Sequence, residues 1–316
     1  MNIRLNAKSL ACDLMRPAMR LAPRGAIRLL TVLGGGRQDD TDWLELSRGY
    51  RMFYDRSLRA TIIVDLSDWG GRWYYYQGRY YDPLNQAIIR EYLACGGVYI
   101  DIGANVGIHS LLASRVVGDQ GRVYAFEPAP KAFALLSAHL AINNCRNVIA
   151  AQCALSDEVG VAELACPHDH LGTATLRADP REAIDCDKVA VPTTTGDKVL
   201  SAVNLGAGAP VLLKIDVEGF EHRVVKGMRR FLSECGQAVV SMEVSPAWLV
   251  HAGSSKEELF AEMSELGYEV YVPRLAWRYG MFRPAIKLSP GVPDGVEQVD
   301  VLFKKGARPS HEPVIA

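Results

Sequence analysis

The run Val98-Tyr99-Ile100-Asp101-Ile102-Gly103-Ala104-Asn105-Val106-Gly107 constrains this chain most. Apolar residues lead into an acid and then into two glycines four apart, and Ile108-His109-Ser110-Leu111-Leu112-Ala113 opens a helix directly afterwards. A buried strand that turns on glycines into a helix N-terminus suits the holding of a nucleotide. Without a Cβ the backbone can approach the ligand, and the first N–H groups of the helix point at whatever anionic group docks there.

The alternation of periods around this turn predicts an open α/β sheet. Strands are expected at 98–101, 122–126, 148–153, 210–215, 238–243, 268–272 and 299–303, with helices near 85–94, 108–117, 130–142, 221–233 and 256–266. Residues 160–192 read as a less regular, β-rich stretch with polar loops. The Pro/Gly-rich connection 274–298 shows no helix; its Trp277, Tyr279, Met281 and Phe282 are candidates for a substrate lid.

Three later pieces narrow the ligand. The strand Arg122-Val123-Tyr124-Ala125-Phe126 ends on Glu127-Pro128, where a carboxylate can accept from both hydroxyls of a ribose. Ser156-Asp157 follow the third strand and suit an adenine edge, and Lys214-Ile215-Asp216-Val217-Glu218-Gly219 end the fourth strand on carboxylates. A dinucleotide fits less well. Asn105 stands where the three-glycine fingerprint has its second glycine, and Asp101 would repel a pyrophosphate but welcome an ammonium. S-adenosylmethionine (SAM) carries adenine, ribose, a sulfonium and an amine, and matches these parts in order.

The set DIGANVG (101–107), FEP (126–128), ALSDEVG (154–160), LKIDVEGFE (213–221) and SMEVSP (241–246) resembles the FkbM family of SAM-dependent methyltransferases over roughly residues 80 to 272. The resemblance implies a Rossmann-like class I methyltransferase sheet, mostly parallel with the last strand as an antiparallel insertion at its edge, and helices on both faces. It also implies O-methylation of a hydroxyl on a sugar, glycan or secondary metabolite. By motif match, Asp101, Gly103, Ala104, Asn105 and Gly107 line the methionine end, Glu127 and Pro128 the ribose, and Ser156 and Asp157 the adenine. One departure stands out. The family's Thr-Leu-Asp element is Thr195-Gly196-Asp197 here, which leaves the role of Asp197 open.

Methyl transfer to a hydroxyl needs orientation, exclusion of water and a proton acceptor. The candidates for that chemistry are Asp216, Glu218 and His222, with Glu221 and Glu243 nearby in the pattern. Each also has a plainer reading: Asp216 can orient an ammonium, Glu218 can pair with a cation, and Glu221 can cap a helix. Carboxylates and imidazole also suit a divalent ion, but two of the four residues sit on a helix turning away, so no metal is expected. Cys166-Pro167-His168-Asp169-His170 reads as a polar loop rather than a metal site. A non-catalytic SAM- or nucleotide-binding subunit is the competing class.

The rest of the chain sets its surroundings. With 316 residues, 49% hydrophobic and 22% charged, it can bury a large core, and a net charge of −1 argues against a nucleic-acid partner. No run is long enough for a membrane span, and seven scattered cysteines without a C-x-x-C pattern read as reduced thiols in a cytoplasmic protein. Residues 1 to about 33 repeat arginine every four positions (Arg16, Arg20, Arg24, Arg28), too charged for a signal peptide. They read as a helical cap, interrupted by Pro17 and Pro23, with peripheral contact to an anionic membrane as the alternative. Residues 61–66 and the aromatic run 73–76 read as a β-hairpin covering the core. The expected division is an accessory segment at 1–84, the methyltransferase domain at 85–305 and a tail at 306–316.

Overall fold

The computed structural model describes residues 48–168, 170–176, 186–203, 209–277, 284–292 and 297–305. The basic N-terminal segment, the tail after 305, and Tyr279, Met281 and Phe282 of the expected lid lie outside them. The chain divides into two compact units, one of Met1–Asp82 with Pro167–Gly172 and the other of Pro83–Cys166 with Thr173–Ala316.

The larger unit is a Rossmann-like α/β sheet. In chain order it contains α2 (Pro83–Tyr92), β3 (Val98–Ile102), α3 (Ile108–Val117), β4 (Arg122–Phe126), α4 (Pro130–Ile142) and β5 (Val148–Ala151). Then come β6 (Ala154–Leu155), β7 (Gly160–Pro167), β8 (Cys186–Thr194), α5 (Gly196–Val199), β9 (Val211–Ile215), α6 (Glu221–Lys226) and α7 (Arg229–Glu234). It finishes with β10 (Ala238–Val244), α8 (Pro246–His251), α9 (Lys256–Glu265), β11 (Glu269–Trp277), β12 (Pro284–Pro290) and β13 (Val299–Lys305). The strand order of the main sheet is β12-β11-β13-β10-β9-β3-β4-β5. From β10 to β5 all neighbours run parallel, whereas β13 is antiparallel to both β10 and β11.

The central strands β3 and β9 are buried along their whole length, which explains why they read as apolar runs without alternation. Their side chains join Val224 and Val225 of α6, Phe231 and Leu232 of α7, and Met228 between the two helices in the main core. Local signals set the helix boundaries. Pro130 opens α4 at a position where a missing N–H is harmless, and the Ser255 side chain accepts from Glu258 N to start α9.

The final strand is the expected antiparallel insertion near the edge of the sheet, between β10 and β11. Two other expectations for this unit need correction. The connection 274–298 contains strand structure, because β11 runs on to Trp277 and pairs with β12 as an antiparallel hairpin. The helix expected at 221–233 is two helices. Its break falls at Gly227, where a Cβ would lie 1.9 Å from the Ser156 carbonyl oxygen, so close backbone packing interrupts it.

In the smaller unit, β1 (Tyr50–Asp55) and β2 (Ala60–Asp65) form an antiparallel hairpin. The expected aromatic strand is instead helix α1 (Trp69–Gln77). The Asp68 carboxylate accepts from Gly71 N at 2.7 Å to start it, and Gly78, at φ 69°, ends it in the left-handed region. Tyr74 packs edge-on against Phe53 of the hairpin, 5.1 Å between ring centres, and donates its hydroxyl to Asp55 at 2.6 Å. Those contacts outweigh the β preference of the aromatic run. His170 stacks on Trp69 at 5.2 Å, and Asp68 also accepts from Leu171 N, so this part of the 166–170 loop packs against rings.

Candidate functional site

The sheet reverses its direction of growth between β3 and β9: β4 follows β3 on one side and β10 follows β9 on the other. In open α/β sheets ligands bind at the carboxyl ends of the strands beside such a switch point. There the chain places the glycine turn, Glu127 and the acids that follow β9.

The turn after β3 is held by backbone. Gly103 and Ala104 both donate to the Phe126 carbonyl at 3.0 Å, and Gly107, at φ 82°, caps α3. Gly103 has φ 76°, and a Cβ there would sit 1.9 Å from the Asp216 carbonyl oxygen. Glycine is required at this position because the two rim segments press together across it. Asn105 takes the left-handed region at φ 50°, donates its N–H to Glu127 Oε2 at 2.7 Å, and keeps its buried Oδ1 without a hydrogen-bond partner.

Glu127 is buried beside this turn. Its second oxygen accepts from Ala129 N at 2.8 Å, across Pro128, so each oxygen takes one backbone N–H and retains accepting capacity. Burial pushes its carboxyl up to about 7, against the pull of those two bonds and of Lys214. Asp101 lies deeper. It is wholly buried, accepts from Ser110 Oγ at 2.6 Å, and leaves Oδ1 without a hydrogen-bond partner. Burial raises its proton affinity, opposed by Lys214 and His109.

Past β9 the character changes. Carboxylate oxygens of Asp216, Glu218 and Glu243 lie within 4.8 Å of one another, a spacing one small cation can span. The ammonium of Lys214 meets that demand on one side, 2.7 Å from Asp216 Oδ2 and 3.5 Å from the Gly103 carbonyl. Glu218 sits at φ 52°, a conformation costing a non-glycine residue about 1–2 kcal/mol, and Thr175 donates to its carbonyl at 3.1 Å. Burial, and then the charges of Asp216, Glu243 and Glu221, push the Glu218 carboxyl up to about 9. Glu243 is pushed up to about 7 by burial, Asp216 and Asp300, although Gln298 donates to it.

The structure thus brings Asp216 and Glu218 together with Glu243 and takes His222 elsewhere. The buried His222 ring contacts Ser254 Oγ through Nδ1 and Glu262 through Nε2 at 2.7 Å, and Arg229 binds the other Glu262 oxygen at 2.8 Å. That network ties α6 to α9. Glu221 turns back on its own helix start, accepting from Gly219 N at 3.0 Å. Ser156 and Asp157 follow β6; Ser156 Oγ donates to Asp157 at 2.9 Å, and Arg223 lies 3.6 Å from the same carboxylate. Asp197 has a local explanation: its carboxylate accepts from Arg230 N and Phe231 N and caps α7. A side chain at Gly196 would crowd Met228, whose Cγ would lie 2.2 Å from the added Cβ.

Lys214 was not among the residues singled out from sequence. A signal for it existed: it is the one charge in the buried strand Val-Leu-Leu-Lys-Ile.

Fold and rim together define a methyltransferase of the Rossmann-like type. A family model described as the methyltransferase FkbM domain matches residues 101–270, more than half of the chain. The chain belongs to that family. It is 28% identical over 208 residues to methyltransferase sdnD of Sordaria araneosa, covering 58% of this chain and 78% of the relative. It is 34% identical over 160 residues to the 31-O-demethyl-FK506 methyltransferase FkbM of Streptomyces tacrolimicus, covering 42% of this chain and 60% of that one. The hexuronic acid methyltransferase AglP of Haloferax volcanii is 24% identical over 247 residues, with 74% and 90% covered. Among solved structures, methyltransferase FkbM of Methylobacillus flagellatus aligns with a TM-score of 0.41 at 16% identity, covering 73% of this chain and 52% of that one.

Proposed function

We propose that this protein is a SAM-dependent O-methyltransferase acting on a hydroxyl of a sugar, glycan or secondary metabolite. The observation that carries this reading is the crowd of carboxylates at the switch point, where one lysine stands among Asp101, Glu127, Asp216, Glu218 and Glu243. Such a rim favours a ligand bearing positive charge and hydroxyls over one bearing phosphates. SAM meets both demands. The unpartnered oxygens of Asp101 and Asn105 also fit a ligand with donors.

In this reading Glu127 holds the ribose hydroxyls, the turn from Gly103 to Gly107 holds the methionine end, and Ser156 and Asp157 hold the adenine. SAM supplies an electrophilic methyl group on a sulfonium. The protein orients the acceptor hydroxyl in line with it, excludes water and removes the hydroxyl proton. Glu218 is the leading proton acceptor. Its raised proton affinity keeps it neutral in the free site, and positive charge bound at the rim lowers that affinity so the carboxylate can act as a base. Asp216 is held by Lys214 and positions the acceptor. His222, committed to Glu262 and Ser254, has no part in the transfer. The names of the relatives, one a 31-O-demethyl-FK506 methyltransferase and one a hexuronic acid methyltransferase, support oxygen acceptors on a metabolite or a sugar.

The test is methyl transfer from labelled SAM to a panel of sugars and hydroxylated metabolites, wild type against Glu218→Gln. Loss of turnover with SAM affinity retained supports the enzyme. SAM binding with no transfer to any acceptor points instead to a non-catalytic binding subunit.

A further inference from the structure

We propose that Lys214 is a positioning residue for methyl transfer: one buried ammonium that clamps the segment after β9 to the glycine turn and balances the acids on both sides of the switch point. The inference rests on the SAM-dependent reading above and assigns a residue to that site.

The geometry argues for it. Lys214 lies on β9, in register with Asp101 on β3 and Ser241 on β10, and its side chain is only 6% exposed. Its ammonium touches both rim segments, Asp216 just past its own strand and the Gly103 carbonyl just past the neighbouring one. An apolar side chain would fill a fully buried strand position at least as well, since a buried ion pair rarely adds net stability. The charge therefore answers to the site rather than to the core.

The charged and titratable groups of the rim come from several elements. Asp101 comes from β3 and His109 from α3; Glu127 follows β4; Asp216 and Glu218 follow β9; Glu221 opens α6. Glu243 comes from β10 and Asp300 from β13. The field of Lys214 lowers the proton affinity of Asp101, Glu127, Glu218 and Glu243 alike. One ammonium thus acts on acids of the cofactor side and of the acceptor side, so the charge state of each depends on it.

The experiment is calorimetric titration of the full chain with SAM at pH 7.5, in two buffers of different ionisation enthalpy, which counts protons released per SAM bound. Wild type should bind SAM and release protons as the acids ionise. In Lys214→Met the acids hold more protons in the free site, so release should rise by roughly half a proton per SAM. Lys214→Arg should return it to the wild-type count. An unchanged count in Lys214→Met overturns the proposal, even if affinity falls, because a purely structural role would weaken binding without moving protons. If that variant does not fold, Asp216→Asn carries the test with the opposite sign. Removing one acid leaves the lysine to Glu218 and Glu243, and release should fall below wild type; a count that stays or rises overturns the proposal. Absence of any SAM binding by wild type defeats the methyltransferase reading itself, and this proposal with it.

Discussion

The two sides of the switch point solve the same problem in different ways. On the β3–β4 side the acids are tied down: Glu127 takes two backbone N–H groups, and Asp101 takes the Ser110 hydroxyl. On the β9–β10 side Asp216, Glu218 and Glu243 face one another, and the Lys214 ammonium pairs with Asp216. Fixed hydrogen bonds make a carboxylate a good holder, because its position changes little when a ligand arrives. Mutual repulsion makes a carboxylate responsive, because any new positive charge shifts its proton affinity. In the proposed function, this difference gives holding to one side and proton transfer to the other.

Glu218→Gln should break this comparison most visibly. Turnover should fall by about 10²- to 10⁴-fold, the usual worth of a placed base, with the SAM dissociation constant little changed. Unchanged turnover measured with labelled SAM would move the base elsewhere, to Glu243 first.

Gly103→Ala strikes both sides together. The added Cβ meets the Asp216 carbonyl oxygen at 1.9 Å in a backbone of φ 76°, and neither strain is relieved by rotating a side chain. A loss of about 2–4 kcal/mol of stability is expected, read by denaturant unfolding. A neutral result would show that the rim segments can separate freely.

Glu127→Ala tests the holding side alone. Loss of charge-assisted hydrogen bonds should weaken SAM by about 1.5–3 kcal/mol, or some 10- to 150-fold. Calorimetry showing no change would mean that the ribose is held elsewhere.

The pH dependence of stability sharpens the contrast. Glu127, Glu221 and Glu243 are raised to about 7 and Glu218 to about 9 in the fold. A raised carboxyl favours the folded state in its neutral form. That contribution is complete below the ordinary glutamate range and fades as pH rises through 7 and then 9. Thermal unfolding of the free chain should therefore show a Tm that declines from pH 6 to pH 9, and saturating SAM should flatten the decline. A Tm flat over that range without ligand would contradict the crowding of these acids.

The smallest effect is expected from Asp197→Ala. Removing the cap of α7 should cost about 1 kcal/mol of stability and leave SAM affinity untouched. A change in affinity would bring Asp197 into the site after all.

Much of this fold was legible in the chain. The β3–α3–β4–α4 run came out within a residue or so of its predicted bounds, because buried parallel strands, glycine turns and Pro130 are strong local signals. The aromatic run at 73–76 misled, because Trp and Tyr favour strands when read locally. The decisive features are the Asp68 cap, the Gly78 stop and the packing of Tyr74 on Phe53. The break at Gly227 depends on the Ser156 carbonyl, some seventy residues away in sequence, and no local pattern announces it.

By itself, the sequence determined the family, the sheet and the segments that meet at its rim, since strand periodicity and glycine turns are properties of short stretches. Which acids act together was decided only by the tertiary structure. Strand register carries Lys214 to the height of Asp101, and the parallel pairing of β9 with β10 brings Glu243 to Asp216, while a bond to Glu262 draws His222 away. The physical reason is that electrostatic coupling depends on distance through the folded interior, and neighbouring strands put residues far apart in sequence within a few ångströms.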